Sequence, residues 1–151
     1  MLAPVATAPY AHIACFVDDT DAAQRALDEA VRLRSFGEGR LSVVHVVAPP
    51  PWPLALGASF GGVLSDPDAL AGAAQAWLEE LVRPLPGAEA IVLRGHPAEE
   101  ASRFVAEAGC DLAVAATHRG SVARALLGSF ASHLAHHAPC AVLLVRPAAS
   151  A

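Results

Sequence analysis

Apolar residues in this chain follow two alternating rhythms. Short runs dominated by apolar side chains are HIACFV (12–17), LSVVHVV (41–47), AEAIVLRG (88–95), CDLAVAA (110–116) and APCAVLLVRP (138–147). Between them lie longer stretches in which apolar residues recur every three or four positions. Runs of the first kind predict strands buried on both faces, because a half-solvated strand would alternate apolar with polar. Stretches of the second kind predict amphipathic helices. In AAQRALDEAVRLRSF (22–36), Ala23, Ala26, Leu27, Ala30, Val31 and Leu33 fall near one face. In 67–85 the buried side is predicted to hold Leu70, Ala74, Trp77, Leu78 and Leu81. A third helix is predicted over 96–109. A fourth spans 121–137, with Val122, Leu126, Phe130 and Leu134 as its stripe.

The punctuation agrees. Thr20 or Asp19 can cap the first helix, and Asp21 suits the positive end of its dipole. Gly37 and Gly39 follow that helix, Pro84 and Pro86 end the second, and Pro97 opens the third. Strands alternating with helices predict parallel βαβ units. The expected fold is α/β: one domain, a five-stranded parallel doubly wound sheet of Rossmann-like kind, with helices on both faces. Such sheets bind ligands beyond the carboxyl ends of the strands, where strand order reverses. The loops eligible here are 17–21, 47–68, 94–97 and 116–121. Residues 48–68 are long, proline- and glycine-rich and without periodicity. They read as a lid over a crevice or as a flap over apolar surface.

Composition narrows the function. With 151 residues and 54% hydrophobic content, the chain can bury a core without a disulfide or metal staple. No apolar run approaches the roughly 20 residues of a membrane span. MLAPVATAPYAH lacks the basic start and apolar centre of a signal peptide, so residues 1–11 read as a loose lead-in and a cytoplasmic location is expected. The net charge of −5 argues against a nucleic-acid partner. All ten basic residues are arginine. That excludes a P-loop or Schiff-base lysine and leaves anion binding to arginine, backbone N–H groups or a helix N-terminus. Cys15, Cys110 and Cys140 form no C-x-x-C pair and read as small apolar side chains.

Loop 17–21 carries Asp18, Asp19 and Asp21, which would repel phosphate where an ordinary dinucleotide fold places its glycine-rich loop. Asp18 can instead accept hydrogen bonds from a ribose or base, or hold a cation; Asp19 and Asp21 read as capping residues. The last helix is entered through Thr117, His118, Arg119, Gly120 and Ser121, with Gly128 and Ser129 further on. Free N–H groups at a helix start suit an anion.

Taken together, these segments resemble the UspA-like universal stress protein family over nearly the whole chain. HIACFVDDTDAAQRALDEAVRL is similar to that family's opening strand, aspartate and first helix. LSVVHVV is similar to its second strand, and RGHPAEEASRFVAEAGCDLAVAATH to its glycine-X-proline turn, third helix and fourth strand. ARALLGSFASHLAHHAPCAVLLVRP is the most specific match. The resemblance implies a dimeric module built on the same α/β fold, related to adenine nucleotide alpha hydrolases, with ATP or another adenine nucleotide as ligand. Its binders carry glycine, two residues, glycine, nine residues, then glycine and serine or threonine after strand four. Gly128 and Ser129 match the last pair. Ala116 stands at the first glycine, and the second has no clear match near Arg119. Asp18 matches the aspartate near the nucleoside, and Val46 resembles an adenine contact. Phe16 and Val17 replace a smaller or turn-forming pair. The implied site is Asp18, Val46, Ala116, His118, Arg119, Gly120, Gly128 and Ser129. A non-glycine forced into left-handed backbone costs about 1–2 kcal/mol. A lost hydrogen bond to a charged oxygen costs about 1.5–3 kcal/mol. Together they weaken binding by roughly a hundredfold or more, part of which Arg119 can restore.

His133, His136 and His137 have the spacing of a metal pair without a completing carboxylate, and read as polar residues at a helix C-terminus. His45 reads as buried and hydrogen-bonded. No Ser–His–Asp set or carboxylate pair follows from spacing. A regulatory or protective binding module with weak or no ATP binding is therefore expected. An ATP-dependent switch or slow ATPase is the alternative, and an enzyme using 48–68 as a lid is a third reading. The apolar fifth strand would be a liability at an exposed edge; the resemblance implies that it pairs with a second copy, from Cys140 to Arg146.

Overall fold

The computed structural model describes residues 9–49, 66–117 and 128–148. Its elements are β1 (His12–Phe16), α1 (Asp21–Arg34), β2 (Arg40–Val47), α2 (Pro67–Val82), β3 (Ala88–Arg94), α3 (Pro97–Glu107), β4 (Leu112–Ala116), α4 (Ser129–His137) and β5 (Ala141–Val145). The five strands form one sheet in the order β3-β2-β1-β4-β5, every neighbouring pair parallel. Ile13 stands beside Leu41 on one side and Leu112 on the other, and Leu112 stands beside Ala141.

The helices divide between the two faces because successive strand side chains point to opposite sides. Ile13 and Cys15 meet Ala23, Ala26 and Leu27 of α1 and Leu78 of α2. Ala14 and Phe16 meet Ala101 and Val105 of α3 and Leu134 of α4. Ile13, Leu27, Leu41, Leu78 and Leu134 are fully buried. Each such side chain contributes about 1.5–3 kcal/mol relative to exposure.

Uniform burial holds only in the middle of the sheet. β1 and nearly all of β4 are buried, whereas the edge strands β3 and β5 are half-buried, with Glu89 exposed. A strand at the edge has a neighbour on one side only, and apolar runs do not report that. Leu70 also departs from expectation: it is exposed, and Ala71 with Leu78 forms the buried line of α2. A one-residue step turns a helix by about 100°, enough to carry Leu70 off the face. The expected start of the fourth helix at 121 lies outside the described residues, as do most of 48–68 and the lead-in before residue 9.

Thr20 caps α1, its side chain accepting the Ala23 N–H at 3.2 Å, with Asp21 in the first turn. Between β3 and α3 the chain turns through Gly95 at φ +135°, where a Cβ would stand 2.8 Å from Glu100 Cγ. That glycine is required on both counts.

Candidate functional site

The chain builds β1, β2 and β3 to one side, then crosses back to place β4 and β5 on the other. Strand order thus reverses between β1 and β4, and a crevice opens at their carboxyl ends. A cavity of about 210 Å³ lies there. Phe16, Val17 and Asp18 from the end of β1 line it, with Val44, His45 and Val46 from β2, Ala115 and Ala116 from β4, and Gly128 and Phe130 at the start of α4.

Asp18 is half-buried. Its Oδ1 accepts the Thr20 N–H at 3.0 Å and also the Thr20 hydroxyl. The residue that caps α1 therefore also aims the carboxylate. His45 orients the same loop from the neighbouring strand. Its Nδ1 lies 2.8 Å from the Val17 carbonyl oxygen. A carbonyl only accepts, so Nδ1 carries the proton. The imidazole meets the Trp77 ring edge to face, with centroids 5.3 Å apart at 78°. His45 is half-buried rather than fully buried.

Ala116 ends β4, and the Thr117 N–H donates to the Val145 carbonyl at 2.9 Å, extending the ladder. No non-glycine residue among those described has positive φ. The strain considered for a missing glycine therefore does not arise at Ala116. Gly128 is the N-cap of α4, at φ −53° and ψ 158°, a conformation open to any residue. No side chain caps this helix. Its first-turn N–H groups lie beside the cavity, where backbone donors and the helix dipole favour negative charge. Ser129 is exposed in the first turn.

Of the eight residues singled out from sequence, Asp18, Val46, Ala116 and Gly128 line one cavity, and Ser129 adjoins Gly128. His118, Arg119 and Gly120 lie outside the described residues. Sequence reasoning missed the aromatic floor. Phe16 and Phe130 meet edge to face, centroids 5.6 Å apart at 65°. Phe16 reads as a bulkier replacement beside the site and Phe130 as part of a helix stripe; only the packing of α4 over β1 brings them together at the crevice.

The remaining histidines and cysteines sort by position. His133 and His137 rings lie 4.4 Å apart on α4, and His136 Nδ1 is 2.7 Å from the Ser132 carbonyl. Among the described residues no group of three or more His, Cys, Asp and Glu side chains is arranged to hold a metal ion. No described helix is long and apolar enough to cross a membrane. Cys15 is fully buried, and desolvation, with a smaller contribution from Asp28, pushes its thiol far above the ordinary range.

Comparison with known proteins gives this geometry a context. A model of the universal stress protein family matches residues 9–146. The fold is similar to the universal stress protein UspA from Lactobacillus plantarum, with 26% identity and a TM-score of 0.71 over 91% of this chain and 98% of that one. A universal stress protein solved in complex with cAMP is 20% identical, with a TM-score of 0.65 over 91% and 97%. A family member from Arabidopsis thaliana with AMP bound is 16% identical, with a TM-score of 0.60 over 91% and 92%.

Proposed function

The chain belongs to the universal stress protein family, and from that premise we propose that it is a cytoplasmic, dimeric regulatory binding module. Its crevice takes an adenosine-type ligand and holds a triphosphate weakly or not at all. The observation that carries this reading is the cavity between the ends of β1 and β4. Its volume, about 210 Å³, is below the roughly 300–1,000 Å³ of sites that enclose drug-sized ligands. That suits a base with its sugar. The apolar floor of Phe16, Val46 and Phe130 suits a base, and Asp18 suits sugar hydroxyls. Negative charge from Asp18 in the lining opposes a polyphosphate, while the start of α4 offers one place for a single phosphate. The relatives solved with cAMP and AMP support the ligand class.

Calorimetry tests this reading. Adenosine or AMP should give saturable heat, and magnesium ATP should bind no tighter than AMP. ATP binding about tenfold or more tighter would favour the alternative, an ATP-dependent switch. That alternative draws on the uncapped start of α4, with Gly128 and Ser129 beside the cavity. No heat from any of the three at millimolar concentration would end the adenosine reading.

Dimerisation through β5 is supported by its place at the sheet edge and by the half-buried side chains of Val142, Leu143, Leu144 and Val145. An apolar edge strand of this kind is normally covered or paired. Light scattering should give twice the 15.5 kDa chain mass; a monomer at micromolar concentration would refute it.

A further inference from the structure

The amino end of the sheet, opposite the crevice, holds a second cluster of reactive side chains. Cys110, just before β4, is buried, and its Sγ lies 3.6 Å from His12 Nδ1. His12 is also buried, with Nε2 2.8 Å from Ser42 Oγ. Ser42 Oγ lies 3.4 Å from Glu89 Oε2. Arg40 holds that carboxylate, with Nη2 at 3.1 and 3.2 Å from its two oxygens. Thiol, imidazole, hydroxyl and carboxylate thus form one chain of proton carriers across β4, β1, β2 and β3. Nδ1 also lies 3.3 Å from the Ala108 carbonyl, which takes the ring proton whenever Nδ1 bears one. Asp111 fixes the frame, its carboxylate accepting the Ala11 and His12 N–H groups at 2.7 and 2.9 Å.

Cys140 stands next to this chain. Leu112 pairs with Ala141, so Cys110 and Cys140 precede neighbouring parallel strands. Cys110 lies two residues before the Leu112–Ala141 pair and Cys140 one residue before it, each at the foot of its strand rather than within it. Both cysteines pack in the cluster beneath α3 and α4. Cys140 is half-buried and reachable from solvent, whereas Cys110 is shielded. Burial, then the neighbouring Cys140 and Asp111, push the Cys110 thiol up to about 11. It therefore needs a base to react near neutral pH, and His12 is in contact with it.

We propose that Cys110 and Cys140 form a reversible intramolecular disulfide in response to peroxide, with Cys140 oxidised first and His12 taking the proton of Cys110. The Cys140 sulfur attacks one peroxide oxygen and the O–O bond breaks. Cys140 becomes a sulfenic acid and the other oxygen leaves as water. The Cys110 sulfur then attacks the sulfenic sulfur. The S–S bond forms, the S–O bond breaks, and the hydroxide that leaves collects the Cys110 proton through His12. Two thiols are oxidised and one peroxide is reduced to two waters. The bond would tie the foot of β5 to the foot of β4. His12 is a positioning and proton-accepting residue, not one that touches the peroxide.

Treating the intact protein with hydrogen peroxide and mapping its peptides without reduction tests this. The expected product is a Cys110–Cys140 linked peptide, two hydrogens lighter and reversed by dithiothreitol, with Cys15 unmodified. Cys110→Ser should abolish the link and leave Cys140 trapped by dimedone. His12→Gln should slow the link by roughly tenfold or more while raising dimedone labelling at Cys140. Should that variant fail to fold, Ser42→Ala interrupts the same relay and should slow the link in the same direction. Cys140 going to sulfinic acid in the unaltered protein with no linked peptide would overturn the proposal. So would a link joining Cys140 of two copies, or a link rate unmoved in whichever relay variant folds. The readout involves neither nucleotide nor dimer, so it stands or falls apart from the function proposed above.

Discussion

Replacing His45 tests whether the crevice is held in shape by one hydrogen bond. Its imidazole does two things: Nδ1–H anchors the Val17 carbonyl at 2.8 Å, and the ring packs edge to face on Trp77. The hydrogen bond contributes about 0.5–1.5 kcal/mol, and the aromatic pair a similar about 0.5–1.5 kcal/mol beyond its area. His45→Ala should therefore cost about 1–3 kcal/mol. At roughly 2–4 °C per kcal/mol for a chain of this size, melting should fall by roughly 2–12 °C. His45→Asn keeps an N–H near the position of Nδ1 and should recover about 0.5–1.5 kcal/mol of that loss. Val17 leads directly into Asp18, so freeing its carbonyl also loosens the carboxylate at the cavity mouth. About 1 kcal/mol of lost preorganisation weakens AMP binding by roughly fivefold in the alanine variant. Differential scanning calorimetry and titration calorimetry read the two effects separately. If the asparagine and alanine variants melt and bind alike, the hydrogen bond does not hold the loop and the reasoning fails.

Four other outcomes follow from the same structure. Leu134→Ala, at a fully buried site joining α4 to the sheet, should cost about 2–5 kcal/mol by chemical denaturation. Gly95→Ala should cost about 1–3 kcal/mol, because φ there is +135° and the new Cβ meets Glu100. Ala116→Gly should change AMP affinity less than about twofold by titration calorimetry, since the backbone at that strand end needs no glycine. The fourth concerns alkali. Cys110 is raised from 9.0 to about 11, so the folded state favours the neutral thiol. Its contribution is complete below pH 9.0 and is lost as pH rises from 9.0 towards about 11. Over that window urea-derived stability should fall by roughly 2–3 kcal/mol on this group's account. Cys110→Ala should flatten the decline by that amount, leaving the part due to Cys15, which is raised in the same direction.

The sequence disclosed what depends on local periodicity and little that depends on crossing points. HIACFV and CDLAVAA read as buried strands because they sit in the middle of the sheet, where both neighbours enforce an apolar run. CAVLLVR reads the same way, yet β5 lies at the edge with its apolar side chains half-buried. Asp18 and Thr20 were legible as a loop carboxylate and a cap because each acts within three residues of itself. That they also bond each other was not. The Phe16–Phe130 floor joins residues 114 positions apart in a 151-residue chain, the difference of 130 and 16. No windowed pattern contains that contact. His12 was uninformative for the same reason: its partners Ser42, Ala108 and Cys110 come from two distant segments, β2 and the turn after α3.

The two ends of the sheet ask different things of similar residues. At the carboxyl end, side chains from β1, β2 and α4 leave a space that is apolar below and polar at its rim, which is what a base with an attached sugar requires. At the amino end the buried His12, Ser42 and Cys110 contact one another, with Glu89 and Arg40 exposed at the edge of the sheet. A buried relay still accepts a proton, and it does so next to a thiol that burial has made reluctant to lose one. The same desolvation that makes Cys110 inert towards solvent makes its reactivity depend on the single imidazole in contact with it. Cys15 illustrates the contrast. It is fully buried on β1 among α1 side chains, with no such partner among the described residues, and on this reasoning it stays reduced under peroxide.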